Sequence, residues 1–124
     1  MVKLLFEEES YQIIGRCMEV HNNLGPGFLE IVYKDALEYE FRECFIRYDR
    51  ERKYDVKYKQ IILPHFFYAD FVICDKIILE AKAVSAFSRE HTALCLNYLK
   101  VSGLKLALLV NFGNTKLMYR RIVF

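Results

Sequence analysis

The 124-residue sequence has no tryptophan, no long apolar run and almost no net charge, and each absence narrows what the chain can be. No uninterrupted apolar segment approaches the roughly 20 residues that a membrane-spanning helix needs. The opening Met1-Val-Lys-Leu-Leu-Phe-Glu-Glu-Glu-Ser10 turns acidic too early for a secretory signal. A cytoplasmic protein with no membrane partner is therefore expected. Four cysteines, Cys17, Cys44, Cys74 and Cys95, lie too far apart in sequence for a zinc knuckle or a redox pair, so they read as reduced and mostly buried thiols. With 18 basic against 16 acidic residues, the net charge of +2 cannot attract a polyanion in bulk, and any such function must rest on local patches. No linker, charge block or internal repeat divides the chain.

What is present is enough apolar material for one core. Hydrophobic residues make up 54%, the mean hydropathy is +0.08, and nine tyrosines and ten phenylalanines supply large side chains. This composition suits a single α/β or α+β domain spanning residues 1–124.

The pattern predicts the element order ααβββαββ. From Glu7 to Leu24, Tyr11, Ile14, Met18 and His21 recur at helical spacing, with Ile13, Cys17, Val20 and Leu24 widening the stripe. Gly25-Pro26-Gly27 stops this helix, and a second follows at once to about Glu43. Its apolar face is Leu29, Val32, Tyr33, Ala36, Leu37 and Phe41, which leaves Lys34, Asp35, Glu38 and Arg42 toward solvent. Tyr54, Val56 and Tyr58 alternate with charged residues as in an edge strand, while His65–Cys74 and Ile77–Val84 read as a central hairpin. Ser85 or Ser88 caps a third helix that ends at Gly103. Leu104–Phe112 has the continuous apolar character of a strand covered on both faces, and Leu117–Phe124 adds a last strand. A central mixed β-sheet flanked by helices buries these faces.

The chemistry concentrates in Tyr68-Ala-Asp-Phe-Val-Ile-Cys-Asp-Lys-Ile-Ile-Leu-Glu-Ala-Lys82. Glu80 and Lys82, two apart on a strand, share a face, and Asp70 lies on the paired strand. An isolated Glu-x-Lys is ordinarily a solvent-facing ion pair, but the flanks Ile77-Ile78-Leu79 and Ala83-Val84 argue against a fully exposed face here. Two carboxylates beside a lysine suit Mg²⁺ or Mn²⁺, which prefer oxygen ligands and keep waters that a phosphate can displace. The register decides whether they meet. A regular two-residue turn at Asp75-Lys76 would set Asp70 opposite Ala81 and on the wrong wall, so a three-residue turn or a bulge is expected.

Asp70 and Glu80-Ala81-Lys82 on a hairpin followed by a helix resemble the PD-(D/E)XK nuclease superfamily, whose core is restriction-endonuclease-like. Gly27-Phe-Leu-Glu30-Ile-Val-Tyr33 is similar to the signature of its GxxExxY family, as are Glu19–Gly27, Asn97-Tyr98-Leu99-Lys100, Leu108–Gly113 and Arg121-Ile122. The resemblance implies a metal-dependent nuclease acting on DNA or RNA, with Glu30, Asp70 and Glu80 holding Mg or Mn and Lys82 assisting the attacking water. The alternative is a catalytically impaired relative that binds nucleic acid or a protein partner. Two departures stand out: position 69 is alanine where the motif has proline, and Leu94 stands where relatives carry glutamine.

Other candidates surround this set. Tyr33, His91, Tyr98 and His21 are candidate substrate contacts, each with a packing role as the alternative. Arg47, Arg50, Arg52, Lys53, Lys57 and Lys59 could follow a nucleic-acid backbone or simply keep an edge strand soluble.

Overall fold

Three glutamates in its first turn complement the positive end of the first helix, and a stripe of Ile13, Ile14, Cys17 and Val20 gives that helix a reason to pack. The structure, a computed structural model, describes residues 4–124. Its elements are α1 (Glu7–Leu24), α2 (Glu30–Glu43), β1 (Tyr48–Tyr58), β2 (Ile61–Ile73), β3 (Ile77–Lys82), α3 (Arg89–Ser102), β4 (Leu106–Asn111) and β5 (Met118–Val123). The expected order holds, with one rotation in detail. Ser10 joins the buried stripe of α1, which keeps His21, while Tyr11 and Met18, roughly 100° or more from its centre, are exposed.

The five strands form one mixed sheet in the order β1-β2-β3-β4-β5. Only β3 and β4 are parallel, which requires a crossover, and α3 supplies it. Tyr33, Leu37 and Phe41 of α2 and the α1 stripe pack on Phe71, Leu79, Leu108 and Val110 on one face of the sheet. Cys95, Tyr98 and Leu99 of α3 pack on Val72, Ile78, Ala107 and Leu109 on the other. Covered on both sides, all six residues of β4 are buried. Burial pushes the thiols of Cys17 and Cys95 up to about 12; Cys74 is half-buried and Cys44 exposed.

The hairpin register is set by an odd turn. Phe71 pairs with Leu79, Val72 with Ile78 and Ile73 with Ile77, so Cys74-Asp75-Lys76 forms a three-residue connection. Cys74 and Asp75 both take positive φ, 53° and 55°, and the Lys76 N–H donates to Ile73 O at 3.0 Å. The outer hairpin is longer than its alternation suggests. β1 begins at Tyr48 in a charged run, and β2 reaches back through Pro64 to Ile61, the missing donor being absorbed by a register shift between Asp55 and Lys57.

Between α1 and α2, Gly25 and Gly27 adopt φ of 66° and 113°, conformations that side chains disfavour. Tyr33 fastens this turn to the core: its ring stacks on Phe112 at 4.7 Å, while its hydroxyl donates to Gly25 O at 2.6 Å and accepts from Phe28 N at 3.2 Å.

At the far end of β4, Asn111 closes the strand against the exit from β3. Its side chain accepts from Val84 N at 3.0 Å and Gly113 N at 2.9 Å, and donates to Val84 O at 2.8 Å. This clamp draws Gly113 so near that a Cβ there would collide with the Val84 backbone. Gly113→Ala is expected to lower unfolding stability by about 1–3 kcal/mol in urea titration, since backbone cannot yield as a side-chain tip can. A change within about 0.5 kcal/mol would contradict the clamp.

Candidate active site

Beyond Phe71 and Leu79 the ladder between β2 and β3 ends, and two carboxylates take over the closure. The Asp70 N–H donates to Glu80 Oε1 at 3.3 Å, and the Ala81 N–H donates to Asp70 Oδ2 at 2.9 Å. Each acid thus satisfies a main-chain donor of the opposite strand. Both are buried, Asp70 being 5% and Glu80 2% exposed. Cations meet them from separate elements. Lys82, next but one on β3, stands 3.4 Å from Glu80 Oε2, and Lys34 of α2 bridges Asp70 Oδ1 at 3.1 Å and Glu51 at 2.9 Å. From the opposite face of the sheet, the Tyr98 hydroxyl of α3 donates to Glu80 Oε2 at 3.5 Å.

Burial dominates the electrostatics of Glu80. Together with the Asp70 charge it pushes the carboxyl up to about 8, against the pull of Lys82 and the Asp70 amide. The same burial, reinforced by Glu80, raises the Tyr98 phenol, which keeps its proton for donation. Lys34 is drawn down by burial, but its hydrogen bonds to Glu51 and Asp70 prevail and the net shift is upward. At the start of α2, half-buried Glu30 is raised by burial, with Lys82 opposing and Asp70, Lys34 and His91 within electrostatic reach.

The remaining sequence candidates are placed as follows. His91 sits in the first turn of α3, where its Nδ1 accepts from Ser88 N at 3.0 Å and its own N–H donates to Ser88 Oγ at 3.3 Å. This capping box leaves the imidazole N–H at Nε2 when the ring is neutral. His21 is buried with Nε2 2.8 Å from Asn114 O, and Tyr33 has its hydroxyl engaged at the glycine turn. Neither His21 nor Tyr33 is linked by a hydrogen bond to the acid pair. Leu94 packs against the apolar cluster beneath α3. The residue that the helical pattern missed is Lys34. Expected toward solvent, it is only 12% exposed at its side chain, because it lies one turn beyond Glu30 and its long stem reaches across the flank of the buried face. The Glu30 and Lys34 pair at i,i+4 was the signal available.

A model of the PD-(D/E)XK nuclease superfamily matches residues 7–122. The chain belongs to that superfamily. No curated protein matches it. Among solved structures it is similar to the crystal structure of SSO0001, with a TM-score of 0.60 and 16% identity over 74% of this chain; the match takes in 48% of that chain, so the present sequence spans about half its length. This likeness concerns the fold, and the α/β architecture agrees with a restriction-endonuclease-like core. No helix among the described residues is long and apolar enough to cross a membrane.

Superfamily membership raises the question of a divalent metal, and the donor set answers it in part. Asp70 and Glu80 offer hard oxygens side by side, and each oxygen retains lone-pair capacity beyond the contacts above. Such a pair fits a small cation that fills the rest of its shell with water. Among the described residues, no three His, Cys, Asp or Glu side chains stand together as a ready-made cage.

The raised Glu80 pKa fixes the sign of a pH dependence. Below about 4.5 the group is protonated whether the chain is folded or not; as pH rises toward about 8 it ionises in the unfolded chain first, which favours unfolding. In EDTA, wild-type stability relative to Glu80→Gln is therefore expected to fall between pH 5 and 8 and to level off above. Urea titrations at three pH values across that range measure it, and a gap independent of pH would contradict the assignment.

Proposed function

We propose that the protein is a divalent-metal-dependent nuclease of the GxxExxY type, hydrolysing phosphodiester bonds of DNA or RNA. The observation that carries this reading is the reciprocal closure of β2 and β3 by Asp70 and Glu80 with Lys82 against them. Asp70 and Glu80 would hold Mg or Mn, with Glu30 approaching from the start of α2. When bound, the ion supplies Lewis-acid polarisation of the phosphodiester and lowers the pKa of a water.

The chain's own residues divide the remaining work. Lys82, two residues from Glu80 on β3 and in contact with its carboxylate, can hold the attacking water against phosphorus while balancing the charge that develops there. Lys34 fixes the Asp70 carboxylate through Oδ1, leaving Oδ2 on the Ala81 amide, so the acid is positioned before substrate arrives. The Tyr98 hydroxyl orients Glu80 from the α3 side. His91, with its Nε2 N–H free of the capping box, is a candidate phosphate contact at the start of α3.

A second reading is favoured by one specific feature. Leu94 lies in the apolar packing under α3, at the place of a glutamine that would hydrogen-bond toward the site, and a module that binds nucleic acid or a protein without cutting would tolerate that loss.

Thermal melting with millimolar Mg²⁺ or Mn²⁺ separates the readings without relying on turnover. Metal is expected to raise the wild-type melting temperature, Asp70→Asn and Glu80→Gln to abolish the rise, and Lys82→Ala to keep it while cutting hydrolysis of plasmid, single-stranded DNA or RNA by at least about 100-fold. Leu94→Gln is expected to increase turnover without changing the metal-induced shift. Absence of any metal shift, together with absence of cleavage, would move the protein to the binding-module reading.

A further inference from the structure

Residues of β2 from Ile61 to Ala69 lie beyond its ladder to β3 and, outside the irregular stretch Leu63-Pro64-His65, pair with β1, so β1 and β2 leave the sheet as a two-stranded ribbon. One face of the ribbon root is covered: Tyr54, Phe67 and Ala69 pack toward α3, with Phe67 edge-on to Tyr98 at 5.9 Å. The other face is not. Phe66 and Tyr68 are 42% and 47% exposed, edge-to-face with each other at 5.4 Å, and Lys53 sits over the Phe66 ring at 4.4 Å. Tyr68 precedes Asp70 by two residues and Phe66 by four, so the rings stand about 7 and 13 Å along the strand from the acid.

The charges of this arm sort by position. Arg47, Arg50 and Arg52 are occupied by Asp75, by Asp35 and Glu38, and by Asp49 and Asp75. The basic stretch is therefore structural at its root. Past Arg52 the balance changes: Lys53, Lys57 and Lys59 face one acid, Asp55, and Lys57 and Lys59 make no ion pair among the described residues. Lys59 lies over the exposed ring of Tyr58 at 5.5 Å. Cations interleaved with exposed aromatic rings, leading along one strand to a carboxylate pair, match an unpaired nucleic-acid strand, whose phosphates meet the lysines while its bases stack on the rings. A duplex offers its phosphates but hides its base faces.

We infer that the β1–β2 ribbon is a binding platform for single-stranded nucleic acid, with Tyr68 and Phe66 stacking the bases of a strand that runs toward the Asp70 and Glu80 carboxylates. This deepens the nuclease reading and rests on it for the direction of the strand, while binding itself needs no cleavage. The ring, not the phenol oxygen, is the recognising group at position 68.

Fluorescence anisotropy in EDTA with labelled short oligothymidylate, and with a duplex of equal length, tests the platform. Wild-type protein is expected to bind the single strand more tightly than the duplex. Tyr68→Ala combined with Phe66→Ala should weaken single-strand binding by at least about tenfold with an unchanged melting temperature, as both rings are exposed, and Tyr68→Phe should restore it. Equal or tighter binding of the duplex, or unchanged affinity in the double variant, would overturn the inference. So would a wild-type dimer in sedimentation that dissociates in the double variant with no strand bound, because the rings would then serve a second copy of the chain. Strand binding through the rings without metal-dependent cleavage would sink the nuclease reading alone. Cleavage by a double variant that still binds strand as wild type does would sink the platform alone.

Discussion

Side chains on neighbouring strands can cooperate only if the register brings them to one place, and here that register depends on the three residues Cys74-Asp75-Lys76. A two-residue turn at Asp75-Lys76 would instead pair Cys74 with Ile77, move every β3 side chain to the opposite face relative to β2 and set Asp70 against Ala81. The turn holds two non-glycine residues at positive φ, an unfavourable conformation for a side-chain-bearing residue. The surrounding sheet, with β3 buried between β2 and β4, supplies the packing that keeps it there.

From that register the rest of the site follows. Two buried acids could not coexist with nothing to compensate them, since an isolated charge in a protein interior is strongly disfavoured. The fold compensates them with donors from four directions: the amides of Asp70 and Ala81, Lys82 on the same strand, Lys34 from α2 and Tyr98 from α3. Elements on both faces of the sheet reach one point because the β2–β3 ladder ends there. The glycine turn before α2 is the remote part of this arrangement, fixing where that helix begins and so where Glu30 and Lys34 stand.

Much of this was legible in the sequence for physical reasons. Apolar periodicity broken by Gly25-Pro26-Gly27 defines α1 and α2, and the requirement that Asp70 share a wall with Glu80 demands an odd turn, which the register contains. Ser88 and Gly103 mark the two ends of α3. What the pattern did not convey lay where charge rather than apolar contact decides position. Lys34 looked solvent-facing because an apolar stripe says nothing of a long cationic side chain at its border. The first half of β1 is a run of charged residues, Asp49-Arg-Glu-Arg-Lys53, whose strand conformation comes from pairing with β2 and not from alternation. Tyr11 and Met18 carry hydrophobicity without burial, so they turned the expected α1 stripe away from its true centre.

In the proposed nuclease the acid pair is the centre of function, with its lysines as counter-charges and its ribbon as the approach. The most direct measurement is the anomalous difference density of a crystal equilibrated with Mn²⁺. A metal held by the acid pair gives a peak between the Asp70 and Glu80 carboxylates, in contact with an oxygen of each. A peak elsewhere, or none while Lys34 and Lys82 remain seated on the two acids, would contradict it.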